Sequence, residues 1–152
     1  MRLMRRFRFL VMTMALILTA SSAFAYTDEI RDITPDEAWR ATLKVLGPKG
    51  VKKADEKKRI VQSNWVEDEV VRRNELFKGI TSQIYRRRTK MKVTITENPR
   101  TVEVQIKGTF EEKPQQSAVQ APWRKFKPQI QDYDLERTLF MRILTQIAQD
   151  HN

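Results

Sequence analysis

The chain has no cysteine, one histidine and four glycines among its 152 residues. Without cysteine it can form no disulfide, no thiolate metal site and no thiol nucleophile. We therefore also expect no lipid anchor of the kind that bacterial lipoproteins carry on a cysteine. A chain without covalent or metal staples must be held together by a hydrophobic core, and about 127 residues are enough to bury one.

Groups able to perform chemistry are equally sparse. The lone histidine, His151, lies next to the C-terminus, where chains commonly fray. The carboxylate clusters at 67–69 and 111–112 lack the spacing of a calcium loop. No serine beyond residue 25 lies in a nucleophile motif; these are Ser63, Ser82 and Ser117. We predict no catalytic residue, no metal ligand and no cofactor, and therefore a protein that is not an enzyme.

The first 25 residues have the three parts of a secretory signal peptide. Residues 1–8 contain four arginines and no acid, residues 9–20 are apolar apart from threonine, and Ala23 and Ala25 form a small-x-small exit. The apolar run is too short for a resident membrane helix, which needs about 20 residues. We predict cleavage after Ala25, export by the general secretory route and a periplasmic product of residues 26–152. The alternative is an uncleaved anchor.

The charge balance favours anionic partners. The formal net charge of +10 includes the four arginines of the leader, so residues 26–152 carry +6. Export argues against nucleic acid. The remaining candidates are acidic protein surfaces, anionic lipid head groups and lipopolysaccharide.

Two amphipathic helices are predicted. Thr34 and Glu37 form a capping-box pattern around Pro35, and Gly47 is placed to end the segment in a left-handed cap. The core-facing residues of this first helix are Trp39, Leu43 and Leu46. Those of the second, which Asp132 or Asp134 can cap, are Leu135, Leu139, Phe140, Ile143, Leu144 and Ile147.

Strand patterns lie between the helix patterns. Residues 26–33 suit an edge strand, and 50–54 and 59–66 suit two strands around a polar turn. Residues 85–95 and 102–110 alternate as a hairpin. A turn centred on Asn98-Pro99 places Ile95 opposite Val102, Val93 opposite Val104, and Met91 opposite Ile106. Residues 67–82 suit either a short helix or a long loop, and 111–131, with three prolines, suit a loop.

This order predicts a single α+β domain over residues 26–152. The expected sheet is antiparallel, has four to five strands in the order β-α-β-β-β-β-α, and carries two helices on one face. The residues expected to face the helices are Trp65, Met91, Val93, Ile95, Val102, Val104 and Ile106.

Two groups of residues are candidate contact sites. Arg86, Arg88, Lys90 and Lys92 share the opposite sheet face, with Lys107 expected opposite Lys90; they form either an anionic docking surface or a solvated face that prevents sheet pairing. The segment Trp123, Arg124, Lys125, Phe126 and Lys127 alternates aromatic and cationic residues. It either grips a partner or folds back on the edge of the core.

One known family shares this arrangement. The run from Ile33 to Trp39, the later Leu43 and Leu46, Gly50-Val51 and the strand ending at Asn64-Trp65 resemble the helix-grip domains of the C component of the outer-membrane β-barrel assembly machine. The final hairpin and helix agree. That family has a lipid-anchor cysteine and two such domains, whereas this chain has neither.

The resemblance implies a helix-grip fold and a protein-binding role in the cell envelope. The first hypothesis is therefore a periplasmic module that binds envelope proteins, with an accessory role in outer-membrane assembly and a location at the periphery of that membrane. The alternative is a carrier or sensor of an anionic amphiphile held between the sheet and the long helix.

Overall fold

The computed structural model describes residues 25–76, 79–115, 121–126 and 134–151, with side chains at all of these except 72–82 and 134. These residues form an antiparallel sheet of seven strands with two helices on one face, which confirms the α+β, helix-grip-like prediction with more strands than expected. The elements are β1 Tyr26–Arg31, α1 Pro35–Leu46, a 3-10 turn Gly47–Lys49, β2 Val51–Asp55, β3 Ile60–Ser63, β4 Val66–Leu76, β5 Gly79–Glu97, β6 Thr101–Pro114, β7 Arg124–Lys125 and α2 Asp134–Asp150.

The long hairpin of β5 and β6 joins two parts of the sheet. Near its turn it is flanked by β1 on one side and by β3 and β2 on the other, and both helices pack there; we call this the helix-covered half. At its other end β4 pairs with β5, and β7 pairs with β6. We call β4, β7 and residues 79–92 and 107–114 the arm.

The core lies between the helices and the helix-covered half. The sheet contributes aliphatic side chains that are completely buried, and each such side chain contributes roughly 1.5–3 kcal/mol to folding. At one end of the core the rings of Tyr26 and Phe140 lie 5.3 Å apart. The principal buried residues are Trp39, Leu46, Val61, Val93, Ile95, Val102, Val104, Ile106, Phe140, Ile143 and Ile147.

The N-terminal end of α1 is capped as the sequence predicts, whereas its C-terminal end differs from the prediction. The Glu37 N–H donates to the Thr34 hydroxyl at 3.3 Å, and the Thr34 N–H donates to the Glu37 carboxylate at 2.6 Å, so the capping box is confirmed. Gly47 is not left-handed as predicted, because the chain continues into a 3-10 turn. The left-handed glycine is Gly50, at φ 81°, where the chain turns into β2.

The hairpin is confirmed, but its predicted register was wrong by two residues. Ile95 lies opposite Val104, Val93 opposite Ile106, and Met91 opposite Gly108. The turn is centred on Pro99-Arg100, closed by the Asn98 N–H donating to the Thr101 carbonyl at 2.9 Å. A shift of two preserves which residues share a face, so hydrophobic pattern alone did not distinguish the two registers.

The segment 67–82 is neither the helix nor the loop that the sequence suggested. It belongs to β4 and the start of β5, apart from residues 77–78, which are not among those described. Its acidic residues stand opposite arginines in the strand register, Glu67 opposite Arg88 and Glu69 opposite Arg86, and the Glu67 carboxylate bonds diagonally to Arg86. Such cross-strand charge pairs stabilise a sheet that has little aliphatic side chain to bury.

The predicted strand 59–66 is interrupted. β3 ends at Ser63, and β4 begins at Val66, so the alternation changes phase across Asn64 and Trp65. Val61 and Ser63 are buried towards the helices. Trp65, which was predicted to face the helices too, lies on the opposite face.

Parts of the predicted loop 111–131 are strands. Residues 111–114 extend β6, and Arg124-Lys125 form β7. Residues 116–120 and 127–133, with Lys127 and the alternative cap Asp132, lie outside the described residues. So do residues 1–24, including Ala23, and the signal-peptide prediction remains a prediction. Within the part of the chain that is described, no helix combines the length and apolar character needed to cross a bilayer.

Candidate binding surfaces

The predicted basic row lies on the sheet face opposite the helices. Val93 and Ile95 are buried on the helix side, so the alternation of β5 puts the even-numbered residues on the other face. Lys107 belongs to the same face, but it stands opposite Lys92 and not opposite Lys90 as predicted. We call this surface of the arm, opposite the helices, the basic face; its cations are Arg86, Arg88, Lys90, Lys92, Lys107, Lys113 and Lys125.

Two tryptophans join the basic face at the level of Arg88. The phase change at Asn64 brings Trp65 here, and the pairing of β7 with β6 brings Trp123 here from the other edge. The guanidinium carbon of Arg88 is 4.6 Å from the Trp65 ring centroid and 4.5 Å from that of Trp123. Arg88 thus links residues from both flanks of the hairpin.

Arg88 is also held by a carboxylate. Its Nε donates to Glu111 at 2.7 Å, and its Nη2 contacts the same carboxylate oxygen. The side chains of Arg88 and Glu111 are only 25 % and 14 % exposed, so the pair is shielded from solvent. Cation–π and charge-assisted contacts are stronger where water is excluded. The centre of the basic face is therefore preorganised.

The neighbouring lysines extend this arrangement. The Nζ of Lys90 is 4.6 Å from the Trp65 centroid, and that of Lys113 is 4.7 Å from the Trp123 centroid. Arg86 has a carboxylate partner, Glu67, at 2.6 Å. Among the described residues no carboxylate lies within ion-pair distance of the lysines on this face, which are Lys90, Lys92, Lys107, Lys113 and Lys125.

The helix-side face of the arm is used differently. The Arg87 guanidinium lies 4.9 Å from the Phe126 centroid, and the Phe126 ring meets Phe110 edge-on at 5.8 Å. Phe110 and Arg87 are buried. Within the segment 123–127, Phe126 therefore packs against the fold, which was one of the two predicted alternatives. Trp123 lies on the opposite face of the sheet. Arg124 and Lys125 are exposed.

A pocket opens between the two helices and the helix side of the sheet. Its volume is about 160 Å³, and its walls include Leu46, Met91 and Leu139. Two cations, Lys49 and Arg142, and one carboxylate, Asp68, also line it, and neither cation forms an ion pair among the described residues. The sequence indicated the place of this pocket but not the residues at its rim.

A second, polar pocket of about 230 Å³ lies between α1 and the end of α2. His151 does not fray as expected, since its Nε2 is 3.0 Å from the Glu37 carboxylate. The backbone N–H and hydroxyl of Thr34 lower the pKa of Glu37, and His151 adds to the effect. The Lys44 ammonium, 2.7 Å away, lowers the pKa of Asp150 in the same way. These contacts join the two helices.

In the ranges that the structure describes, no three side chains of the metal-binding types cluster closely enough to hold an ion. His151 has a carboxylate neighbour, but Ser63 donates its hydroxyl to the Asn64 carbonyl at 2.8 Å and lies elsewhere, beside β5. The structure thus brings cations and aromatic rings together, and does not place His151 beside a serine.

Comparison with known proteins gives only distant matches. No protein-family model matches the chain, and no curated protein does. Among solved structures it is similar to a DUF4468 family protein from Bacteroides ovatus ATCC 8483, with TM-score 0.48 and 11 % identity over 81 % of this chain and 85 % of the other. It is also similar to a TBP-like protein from Parabacteroides distasonis ATCC 8503, with TM-score 0.42 and 13 % identity over 82 % and 92 %. These likenesses carry no inference about what the chain binds.

Proposed function

We propose that this protein is a non-enzymatic binding module of the cell envelope that holds an acidic segment of a partner protein on its basic face. The observation that carries the proposal is the set of lysines grouped around the Trp65–Arg88–Trp123 centre. Several like charges on neighbouring strands repel one another unless an anion or solvent screens them. An acidic partner would relieve that repulsion on binding.

The composition of the basic face suits a protein partner. Tryptophan and arginine are the residues most enriched where protein complexes gain their affinity, because they bury large rigid surfaces. Here Arg88 and Glu111 already fix the two indole rings, so less conformational entropy is lost on binding.

The envelope location rests on the sequence. The arginine-rich start, short apolar run and Ala23/Ala25 exit support export to the periplasm. The resemblance to the C component of the outer-membrane assembly machine supports an accessory role in that assembly, as a module without a lipid anchor. A cell fractionation in which the chain is periplasmic and begins at Tyr26 is the expected result, and a cytosolic chain beginning at Met1 would overturn this part.

The test uses a photo-crosslinking amino acid at position 92 or 107 in cells that make the full chain. We expect adducts with proteins that carry acidic segments, and we expect Lys90→Glu/Lys113→Glu in the same chain to remove them. The control carries the crosslinker at Lys57, an exposed residue of the β2–β3 turn. Lipid adducts, or equal protein adducts at all three positions, would overturn the proposal.

The pocket favours a second candidate, a carrier of a small anionic amphiphile. The pocket has apolar walls and two cations, Lys49 and Arg142, against one carboxylate, Asp68, and this excess of positive charge suits an alkyl chain with an acidic head. A volume of about 160 Å³ is smaller than the ~300 Å³ of usual ligand sites, so only a short chain fits. Octanoate should raise the melting temperature of the wild type. It should not raise that of Leu139→Trp, in which the indole fills the pocket. If octanoate does not shift the melting temperature of the wild type, the carrier function is excluded.

A further inference from the structure

The edge of the arm carries an unusual strand. β4 pairs with β5 over Val66–Leu76, and no other described strand pairs with its outer side. An edge strand leaves a row of N–H and C=O groups able to pair with another strand. Val71, at its centre, is 59 % exposed.

The charges of β4 are complementary to those of a second copy of the same strand in antiparallel orientation. Three acidic residues, 67–69, precede Val70 and Val71, and two arginines, 72 and 73, follow them. When two copies of such a strand lie antiparallel, the acidic part of each meets the basic part of the other. Opposite charges directly across a strand pair are favourable, and like charges are not. The same strand in parallel orientation would oppose like charges.

Backbone geometry restricts the register. Successive residues of a strand direct their backbone hydrogen-bonding groups to alternate sides. When two copies of one strand pair antiparallel, the sequence numbers of opposed residues must therefore differ by an even number. A pairing of Val70 with Val71 is thereby excluded. Pairing Val70 with its own copy is allowed, and it places Asp68 opposite Arg72 and Glu67 opposite Arg73 of the second copy, with Val70 on the two-fold axis.

We infer that two copies of this chain associate through their β4 edges in that register, forming one continuous sheet across the two arms. The inference does not depend on the proposed function, since it uses the edge of the sheet and not the basic face. Glu67 is already bonded to Arg86, whereas Asp68 is exposed and has no ion pair among the described residues. The Asp68–Arg72 pair is therefore the one to test.

The first experiment exchanges charges at that pair. The wild type should sediment with twice the mass of the chain, and Asp68→Arg and Arg72→Asp should each weaken association at least tenfold, because like charges then meet. An equimolar mixture of the two variants should form heterodimers, since one chain is basic at both positions and the other acidic. A monomeric wild type, unweakened variants or a mixture that stays monomeric would each overturn the inference.

The second experiment uses the absence of cysteine. Val70→Cys places one thiol at the two-fold axis, where directly opposed residues have Cα atoms about 5 Å apart, within reach of a disulfide. Mild oxidation should give a covalent dimer. The control, Met141→Cys, is exposed on α2 and should stay monomeric. Equal crosslinking of both variants, or none at position 70, would overturn the register.

Discussion

The helix-covered half and the arm are built on the same two strands, yet they are stabilised in different ways. In the first, Val93 and Ile95 of β5 are buried against the helices. In the arm, Arg87 lies on the same face of β5 as these two residues. On the opposite face, Arg88 contacts two tryptophan rings and a carboxylate. The comparison indicates that burial of apolar area stabilises one part, whereas ion pairs and ring contacts order the other.

The largest effect should come from a charge in the helix-covered half. Val104 is completely buried, so Val104→Asp places a carboxylate among aliphatic side chains, at a cost of several kcal/mol. We expect the domain to be unfolded at 25 °C by circular dichroism. Lys90→Glu, on the basic face of the arm, should lower the melting temperature by only a few degrees, and a collapse of this control would refute the face assignment.

The junction between the two parts should be the next most sensitive. A Cβ on Gly108 would lie 2.6 Å from the Phe110 ring and 2.8 Å from the Glu136 carboxylate, which accepts the Gly108 N–H. We expect Gly108→Ala to cost about 1–3 kcal/mol in denaturant unfolding, as overpacking does. Gly47→Ala is the control, because a Cβ there meets nothing within 4 Å and φ is −50°. Equal losses would contradict this account.

Within the arm, the shielded and exposed arginines should differ. Arg88→Ala removes two ring contacts and leaves the nearly buried Glu111 carboxylate without its guanidinium, which we expect to cost about 1–3 kcal/mol. Arg86→Ala removes an exposed pair with Glu67, for which about 0–1 kcal/mol is expected. Hydrogen exchange should show faster opening of residues 85–90 in the first variant alone; no difference would mean that the rings contribute nothing.

The same contrast explains how far the sequence could be interpreted. The helix-covered half follows hydrophobic periodicity, so both helices, the capping box at Thr34 and the alternation around Val93 could be predicted. The arm has little periodic apolar content. Its strand β4 therefore could not be distinguished from a helix or loop, although the acids at 67–69 and the basic residues at 86–88 were a usable signal of cross-strand pairing.

The candidate site was predicted only in part for the same reason. The alternation of β5 was sufficient to put Arg86, Arg88, Lys90 and Lys92 on one face. Trp65 was misplaced, because a two-residue interruption at Asn64 changes the phase in a way that no pattern of residue types reports. The approach of Trp123 depends on β7 pairing with β6 across a long connection, which is a property of the tertiary fold.

The smallest expected effect concerns acid, and it should be confined to the N-terminal cap of α1. The Thr34 N–H and hydroxyl stabilise the ionised Glu37 and hold its pKa below the ordinary 4.5. A depressed carboxyl pKa contributes stability that is present above 4.5 and is lost as the pH falls through the lower folded value. The protection of the first turn of α1 against hydrogen exchange, measured relative to the intrinsic exchange rate at the same pH, should therefore fall on acidification below pH 4.5, and Glu37→Gln should flatten that dependence. Glu56→Gln, in the exposed β2–β3 turn, should leave it unchanged; if it did not, the acid response would belong to the whole sheet and not to the helix cap.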